Sequence, residues 1–137
     1  MIELPEIPSG SNVVGIGIDQ IEVERIQESI ERHGSHFVGK IFTDSEQRSC
    51  REMTNPAPHY AARFAAKEAV AKALGTGFGR QFGWLDSEIV HGSEGEPIMN
   101  FSKKGFQLLN AKGAKHALVS LTHLNSIASS AVLLVSA

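Results

Sequence analysis

One fifteen-residue stretch restricts the fold more than any other: Arg63-Phe-Ala-Ala-Lys-Glu-Ala-Val-Ala-Lys-Ala-Leu-Gly-Thr-Gly77. Its alanine content predicts a helix. Ala62, Ala66, Ala69 and Ala73 recur at helical spacing and make a stripe of small residues along one face. Small residues let another backbone approach, so the helix is expected to be buried along that stripe. A second row runs Tyr60, Phe64, Glu68, Lys72, so a carboxylate begins where the aromatics stop. Glu68 and Lys72 stand in the favourable i,i+4 order for a salt bridge. Arg63 and Lys67 add two positive charges, and the segment runs out into Gly75-Thr-Gly-Phe-Gly79 with Arg80 next. Two readings follow. One is an ordinary helix with a surface ion pair and a glycine exit. The other is a site for an anionic ligand, in which backbone N–H groups of Gly75–Gly79 cradle a phosphate.

The other bounds are broad. A chain of 137 residues is expected to form one domain, over 13–137, behind an irregular segment at 1–12 that holds two prolines and a glycine. No apolar run reaches membrane-spanning length and the start does not read as a signal peptide, so a cytoplasmic protein without membrane partners is expected. Cys50 is the only cysteine, which excludes an internal disulfide and a thiolate zinc site. It reads as a small, partly buried residue. Net charge is −2, but residues 1–39 hold seven acids against two bases, while 40–80 hold seven bases against four acids. The basic middle coincides with the alanine-rich helix and can recruit an anion. The stronger basic excess with interleaved aromatics that nucleic-acid binding calls for is absent.

Along the chain, Val13–Ile18 alternates as a strand. Val14, Ile16 and Ile18 take one face; Val13, Gly15, Gly17 and Asp19 take the other, which is nearly bare. A helix is expected over 21–33, stopped by Gly34. Asp19 and Glu22 then match a capping box, with Ile18 and Val23 as the hydrophobic staple; a functional carboxylate is the alternative reading of Asp19. Arg25 and Arg32 share a face of that helix, either solvated or facing an acidic partner. Residues 37–42 read as an apolar connection. Thr43, Asp44 or Ser45 is placed to cap a short helix ending near Met53. Trp84–His91 and Pro97–Phe101 read as a hairpin across Gly92–Glu96, Ser102 as the cap of a helix to about Asn110, and His116–Thr122 and Ile127–Val135 as two further strands. The class is therefore α+β, with a largely antiparallel sheet and a long central helix. Five of the six histidines (His33, His36, His59, His91, His116) read as surface or turn residues; His123, at the rim of an apolar strand, is the candidate functional one.

Two carboxylates on regular elements, Asp19 and Glu68, suit a hard cation such as Mg²⁺, whose remaining ligands would be phosphate and water. Arg63, Lys67, Lys72 and Arg80 would neutralise the rest of a polyphosphate. The residues alone lead to a magnesium-dependent site for a phosphorylated cofactor.

These segments also resemble a family. Gly15-Ile-Gly-Ile-Asp19 with Glu22 and Arg25-Ile26 is similar to the first signature of the 4′-phosphopantetheinyl transferases, and Arg63–Gly77 to the second. Trp84, Asp86, Glu88, Ile89, Gly95, Pro97 and Val119-Ser-Leu-Thr-His123 resemble later landmarks of the short bacterial class, the holo-[acyl-carrier-protein] synthases. Gln20 departs from that pattern, standing where the family carries an apolar residue, which predicts looser packing there. The resemblance implies binding of coenzyme A and Mg²⁺, and transfer of phosphopantetheine to a serine of apo-acyl carrier protein in support of fatty acid biosynthesis. Adenosine 3′,5′-bisphosphate would be released. It also implies that Asp19 and Glu68 ligate the metal, that Lys72 meets the diphosphate, that His123 lines the coenzyme A site and that Arg25 faces the carrier's acidic helix. Glu68 and Lys72 are the catalytic pair on this reading. Arg63, Lys67, Gly75 and Gly77 join Lys72 and His123 around the cofactor. A homotrimer with its sites between subunits is implied as well.

Overall fold

The computed structural model describes residues 6–137. Of the irregular segment expected at 1–12, residues 1–5 lie outside the described residues; 6–12 form a turn without regular structure, tied to the chain end by Ser136 N–H donating to Asn12 O at 2.8 Å. The elements then run β1 (Val13–Glu22), α1 (Val23–His33), α2 (Ser35–Ile41), α3 (Asp44–Arg51), α4 (Pro56–Leu74), a 3₁₀ turn (Trp84–Asp86), β2 (Ser87–His91), β3 (Pro97–Phe101), α5 (Lys103–Ala111), β4 (His116–His123) and β5 (Ile127–Val135). The class is α+β as expected, but the strands form two antiparallel sheets: β1-β5-β4 and the β2-β3 hairpin. No helix among the described residues is long and apolar enough to cross a membrane.

Helix α4 is the axis of the molecule. Pro56 opens it at a position where a missing N–H costs nothing, and Gly75, at φ 77°, closes it in the left-handed region. Fourteen of its nineteen residues are buried, so it is enclosed on all sides rather than along the alanine stripe alone. One core cluster lies between its C-terminal half and the three-stranded sheet, with Val70, Leu74, Phe82, Leu109, Val132 and Leu134. The other surrounds its N-terminal half with Val23, Ile26, Phe42, Cys50, Tyr60 and Ala128. Cys50 is fully buried, beyond the partial burial expected, and burial pushes its thiol up to about 11.

The alanine stripe meets the bare face of β1. A Cβ on Gly17 would lie 2.0 Å from the carbonyl oxygen of Ala69, and one on Gly15 would lie 2.7 Å from that of Ala73. Strand backbone therefore packs directly on helix backbone. Only glycine on one side and alanine on the other allow that approach.

Three local expectations change. Strand β1 runs on to Glu22, because Gln20, Ile21 and Glu22 continue to pair with Ser129, Ala128 and Ile127. The first helix accordingly starts at Val23, capped by Glu22 without a side-chain hydrogen bond. The apolar connection at 37–42 is mostly helical, as α2. The segment 84–91 opens with a 3₁₀ turn because the Asp86 carboxylate accepts from Gly83 N–H at 2.7 Å and holds the chain back before β2 begins.

Gly17→Ala is expected to lower the unfolding free energy by about 3 kcal/mol, since neither backbone can retreat. Gly39→Ala, in α2 with nothing within 4 Å of the added carbon, should instead stabilise by about 0.5 kcal/mol. Urea midpoints of the two variants measure both.

Candidate active site

Gly15, Gly17 and Asp19 share one face of β1, so Asp19 emerges where the close strand–helix contact ends. It meets α4 there. Lys72 Nζ lies 2.7 Å from Asp19 Oδ1 and donates to Ile18 O at 3.2 Å. The ion pair is partly exposed, worth about 1 kcal/mol or less, so it orients the two groups rather than holding the fold. Two expectations fall with it. Lys72 pairs with Asp19 across the tertiary contact, and Glu68 makes no ion pair among the described residues. Asp19 is no capping residue either, because it stands in mid-strand opposite Ser130, three residues before the helix cap.

Glu68 sits one helical turn before Lys72 and is half-buried. Burial raises its carboxyl above the ordinary 4.5; the nearby Asp19 carboxylate raises it further and Lys72 partly offsets both. The two carboxylates thus sense each other, with one ammonium beside them. A depression of about 430 Å³ opens here, lined by Ile18, Asp19, Gln20, Lys72 and Ser129. Gln20, expected to loosen the packing, is exposed and donates to Ser129 Oγ at 3.1 Å. Among the described residues no group of three or more His, Cys, Asp or Glu is placed to hold a metal ion. The donors at Asp19 and Glu68 are two hard carboxylate oxygen groups, a set that fits Mg²⁺ if substrate and water oxygens complete the shell.

Several expected cofactor ligands are placed elsewhere. Lys67 is fully buried, 2.9 Å from Glu46 Oε1, and donates to the carbonyls of Trp84 and Ser87. Its three donors are committed inward, so it is a structural lysine and not a phosphate ligand. Burial lowers its ammonium, with Glu46 opposing. Arg63 is only 2% exposed and donates to His59 O and Ser49 Oγ. Gly75 and Gly77 do not cradle a phosphate: their N–H groups donate to Lys72 O and Ala71 O, and Gly79 N–H donates to Phe82 O. The glycine segment is a helix exit, fastened by stacking of Phe78 on Trp84 at 3.8 Å between centroids, with Phe64 on Trp84 at 4.9 Å. Arg80 is exposed beyond it. Arg25 and Arg32 line one shallow depression on α1, as their seven-residue spacing predicts.

His123 ends β4, about two strands from Asp19, and its ring stands edge-on to His59 at 5.0 Å. The reading of His59 as a plain surface residue is therefore corrected: it is half-buried between His123 and Arg63. Glu46 was also missed. Thr43 and Glu46 form the capping box of α3, a pattern visible in the sequence, but the second carboxylate oxygen of Glu46 accepts from Ile89 N–H at 2.9 Å, and its pairing with Lys67 is tertiary.

The raised carboxyl of Glu68 fixes a sign. The folded protein binds its proton more tightly than the unfolded chain, so ionised Glu68 costs stability above its folded value, and that cost disappears as pH falls through it. Glu68→Gln is expected to raise the thermal midpoint at pH 7.5 and to give a shrinking gain toward pH 4, as followed by circular dichroism.

Residues 15–125 match the sequence family described as the 4′-phosphopantetheinyl transferase superfamily. The holo-[acyl-carrier-protein] synthase of Protochlamydia amoebophila is 44% identical over 115 residues, 84% of this chain and 92% of that protein. The crystal structure of the Neisseria meningitidis holo-[acyl-carrier-protein] synthase aligns with a TM-score of 0.83 at 29% identity, covering 89% of this chain and 98% of that one. The Bacillus anthracis holo-(acyl-carrier-protein) synthase, solved in complex with CoA (3′,5′-ADP), aligns with a TM-score of 0.77 at 32% identity, over 93% of this chain and 100% of that one. The chain belongs to the 4′-phosphopantetheinyl transferase superfamily.

Proposed function

We propose that the protein transfers the 4′-phosphopantetheine group of coenzyme A to a serine of apo-acyl carrier protein. The observation that carries the reading is the Asp19–Lys72 pair across the strand–helix contact, with the half-buried Glu68 one turn before Lys72 on α4. Relatives named for this activity, matched over most of the chain, support it. Asp19 and Glu68 would hold Mg²⁺, which when bound supplies neutralisation of the diphosphate. Lys72, released from Asp19, donates to the same diphosphate. Glu68 accepts the serine proton, and its raised basicity suits that task. The serine Oγ–P bond forms as the P–O bond to the adenosine side breaks, and adenosine 3′,5′-bisphosphate leaves with the electron pair. Arg25 and Arg32 offer paired cations to an acidic carrier helix, and His123 lines the coenzyme A site. The product would serve fatty acid biosynthesis in the cytoplasm.

The outer face of the three-stranded sheet supports a homotrimer. Ile18 is 69% exposed and Leu118 55%, on strands flanking β5, where Ala131 faces Ile18. Apolar side chains arranged across an open sheet face are ready to be covered by a copy of the same surface. The face adjoins the Asp19 depression through Ile18, so a neighbouring copy would form part of the site. The single functional domain would be 13–137.

Incubation with coenzyme A, Mg²⁺ and apo-carrier should add one phosphopantetheine mass to the carrier. Asp19→Ala and Glu68→Ala should each reduce the rate by about 10²-fold or more. Undiminished transfer by either variant sinks the site assignment, and loss of transfer without Mg²⁺ tests the metal. Light scattering should give three times the 14.8 kDa chain mass, and Ile18→Asp should reduce it to one.

A further inference from the structure

A second depression, of about 490 Å³, lies where α1, α2, α3 and the start of α4 meet. Its floor is apolar: Ile30 of α1, Val38 of α2, and Pro56 and Ala57 of α4. A cavity of roughly 300–1,000 Å³ with an apolar floor and a few convergent polar groups has the form of a small-molecule site. It shares no lining residue with the Asp19 depression. Tyr60, which borders it, lies about 12 Å before Glu68 along the axis of α4.

Three donors converge at one end. Tyr60 is 4% exposed, yet its hydroxyl bonds to no protein group among the described residues. It is not sealed in either, as Arg63 Nε and Ser87 Oγ are. The hydroxyl therefore opens onto the depression that Tyr60 lines. Burial raises it above the ordinary 10, with Arg51 working against the rise, so it keeps its proton to donate. Arg51, the last residue of α3, is the second donor and forms no ion pair among the described residues. The third is the N-terminus of α4, which has no side-chain cap and no acid in its first turn. Pro56 and Pro58 carry no N–H, so Ala57 N–H is left as the free donor at the positive end of the helix. The rim holds one carboxylate, Glu31, which accepts from Gln27 Nε2 at 3.3 Å on α1 and is not among the groups acting on the Tyr60 hydroxyl.

We propose that this depression binds a medium-chain aliphatic carboxylate, its head on Arg51, the Tyr60 hydroxyl and Ala57 N–H and its chain along Ile30, Val38 and Pro56. A carboxylate has lone pairs for all three donors and a charge for the guanidinium. An ammonium head would meet Arg51 with like charge. The tail is apolar because the floor offers a polar one nothing to replace its water. The site does not depend on the transferase reading.

The test is calorimetric titration of the full chain at pH 7.5 with decanoate below its micelle concentration, and with decanol and acetate. Decanoate should fill about one site per chain with a Kd on the order of 100 μM. Decanol should bind about tenfold more weakly for want of the charged head, and acetate should show no saturation for want of the tail. Tyr60 is the only tyrosine, so decanoate should also perturb the tyrosine band of the near-ultraviolet spectrum. Arg51→Gln should weaken decanoate about tenfold and Tyr60→Phe several-fold, with decanol unchanged in both. Because the Tyr60 hydroxyl has no protein partner, Tyr60→Phe should leave the urea midpoint where it is, which loss of a structural hydrogen bond would lower. Failure of decanoate to bind, equal affinity for decanol or acetate, or undiminished decanoate binding by the Arg51→Gln/Tyr60→Phe double variant overturns the proposal. None of these outcomes bears on phosphopantetheine transfer.

Discussion

The structure depends on a contact between two backbones. Gly15 and Gly17 of β1 lie against the carbonyls of Ala73 and Ala69, with no side chain between strand and helix. A sheet usually stands off a helix by the thickness of an interdigitated side-chain layer. Here that layer is absent along one edge, so α4 sinks into the sheet at β1. The next residue on the same face, Asp19, then reaches Lys72, and its charge is felt at Glu68. The glycines bring the site together without contributing an atom to its chemistry.

The rotation of α4 about its own axis has a separate cause. Lys67 and Glu46 bury a full ion pair that also engages the carbonyls of Trp84 and Ser87 and the N–H of Ile89. Removing both charges from water is expensive, and such a pair is weak evidence for net stability. Its geometric effect is plain, however. It ties α4 to α3, to the 3₁₀ turn and to β2 through one ammonium group. With Lys67 pointing into the core, the next residue, about 100° further round the helix, is turned toward β1. That residue is Glu68.

Much of this was legible in the sequence where a signal is local. The ends of α4 follow from Pro56 and Gly75, the hairpin from its glycine turn, and the strands β4 and β5 from their apolar runs. The small-residue stripe predicted a close approach, and the alternation in β1 predicted which face would make it. What the sequence did not disclose was tertiary choice between like residues. Lys67 and Lys72 are the same residue type on one helix, and nothing nearby says that the first meets Glu46 and the second Asp19. The i,i+4 rule favoured Glu68 for Lys72, but a strand carboxylate held at 2.7 Å prevailed. Likewise His59 and His91 look idle in isolation, because Arg63 and His123, which give them a setting, come from other turns and strands. The capping pattern at Asp19 misled for the same reason: β5 offered Gln20–Glu22 a ladder to continue, and pairing outlasted the local cap.

The sheet order has a temporal side. Among the described residues β1 pairs with β5 alone, so Asp19 finds its place opposite Ser130, 111 residues later in the sequence. Contacts so distant in sequence form late, after the loop between them has been closed. On a ribosome, α4 and its neighbours can be complete while the first strand still has no partner, its edge and its glycine face open to solvent. The middle strand of the sheet, β5, emerges after both of its neighbours. Competence therefore waits on a single event, the entry of β5 between β1 and β4.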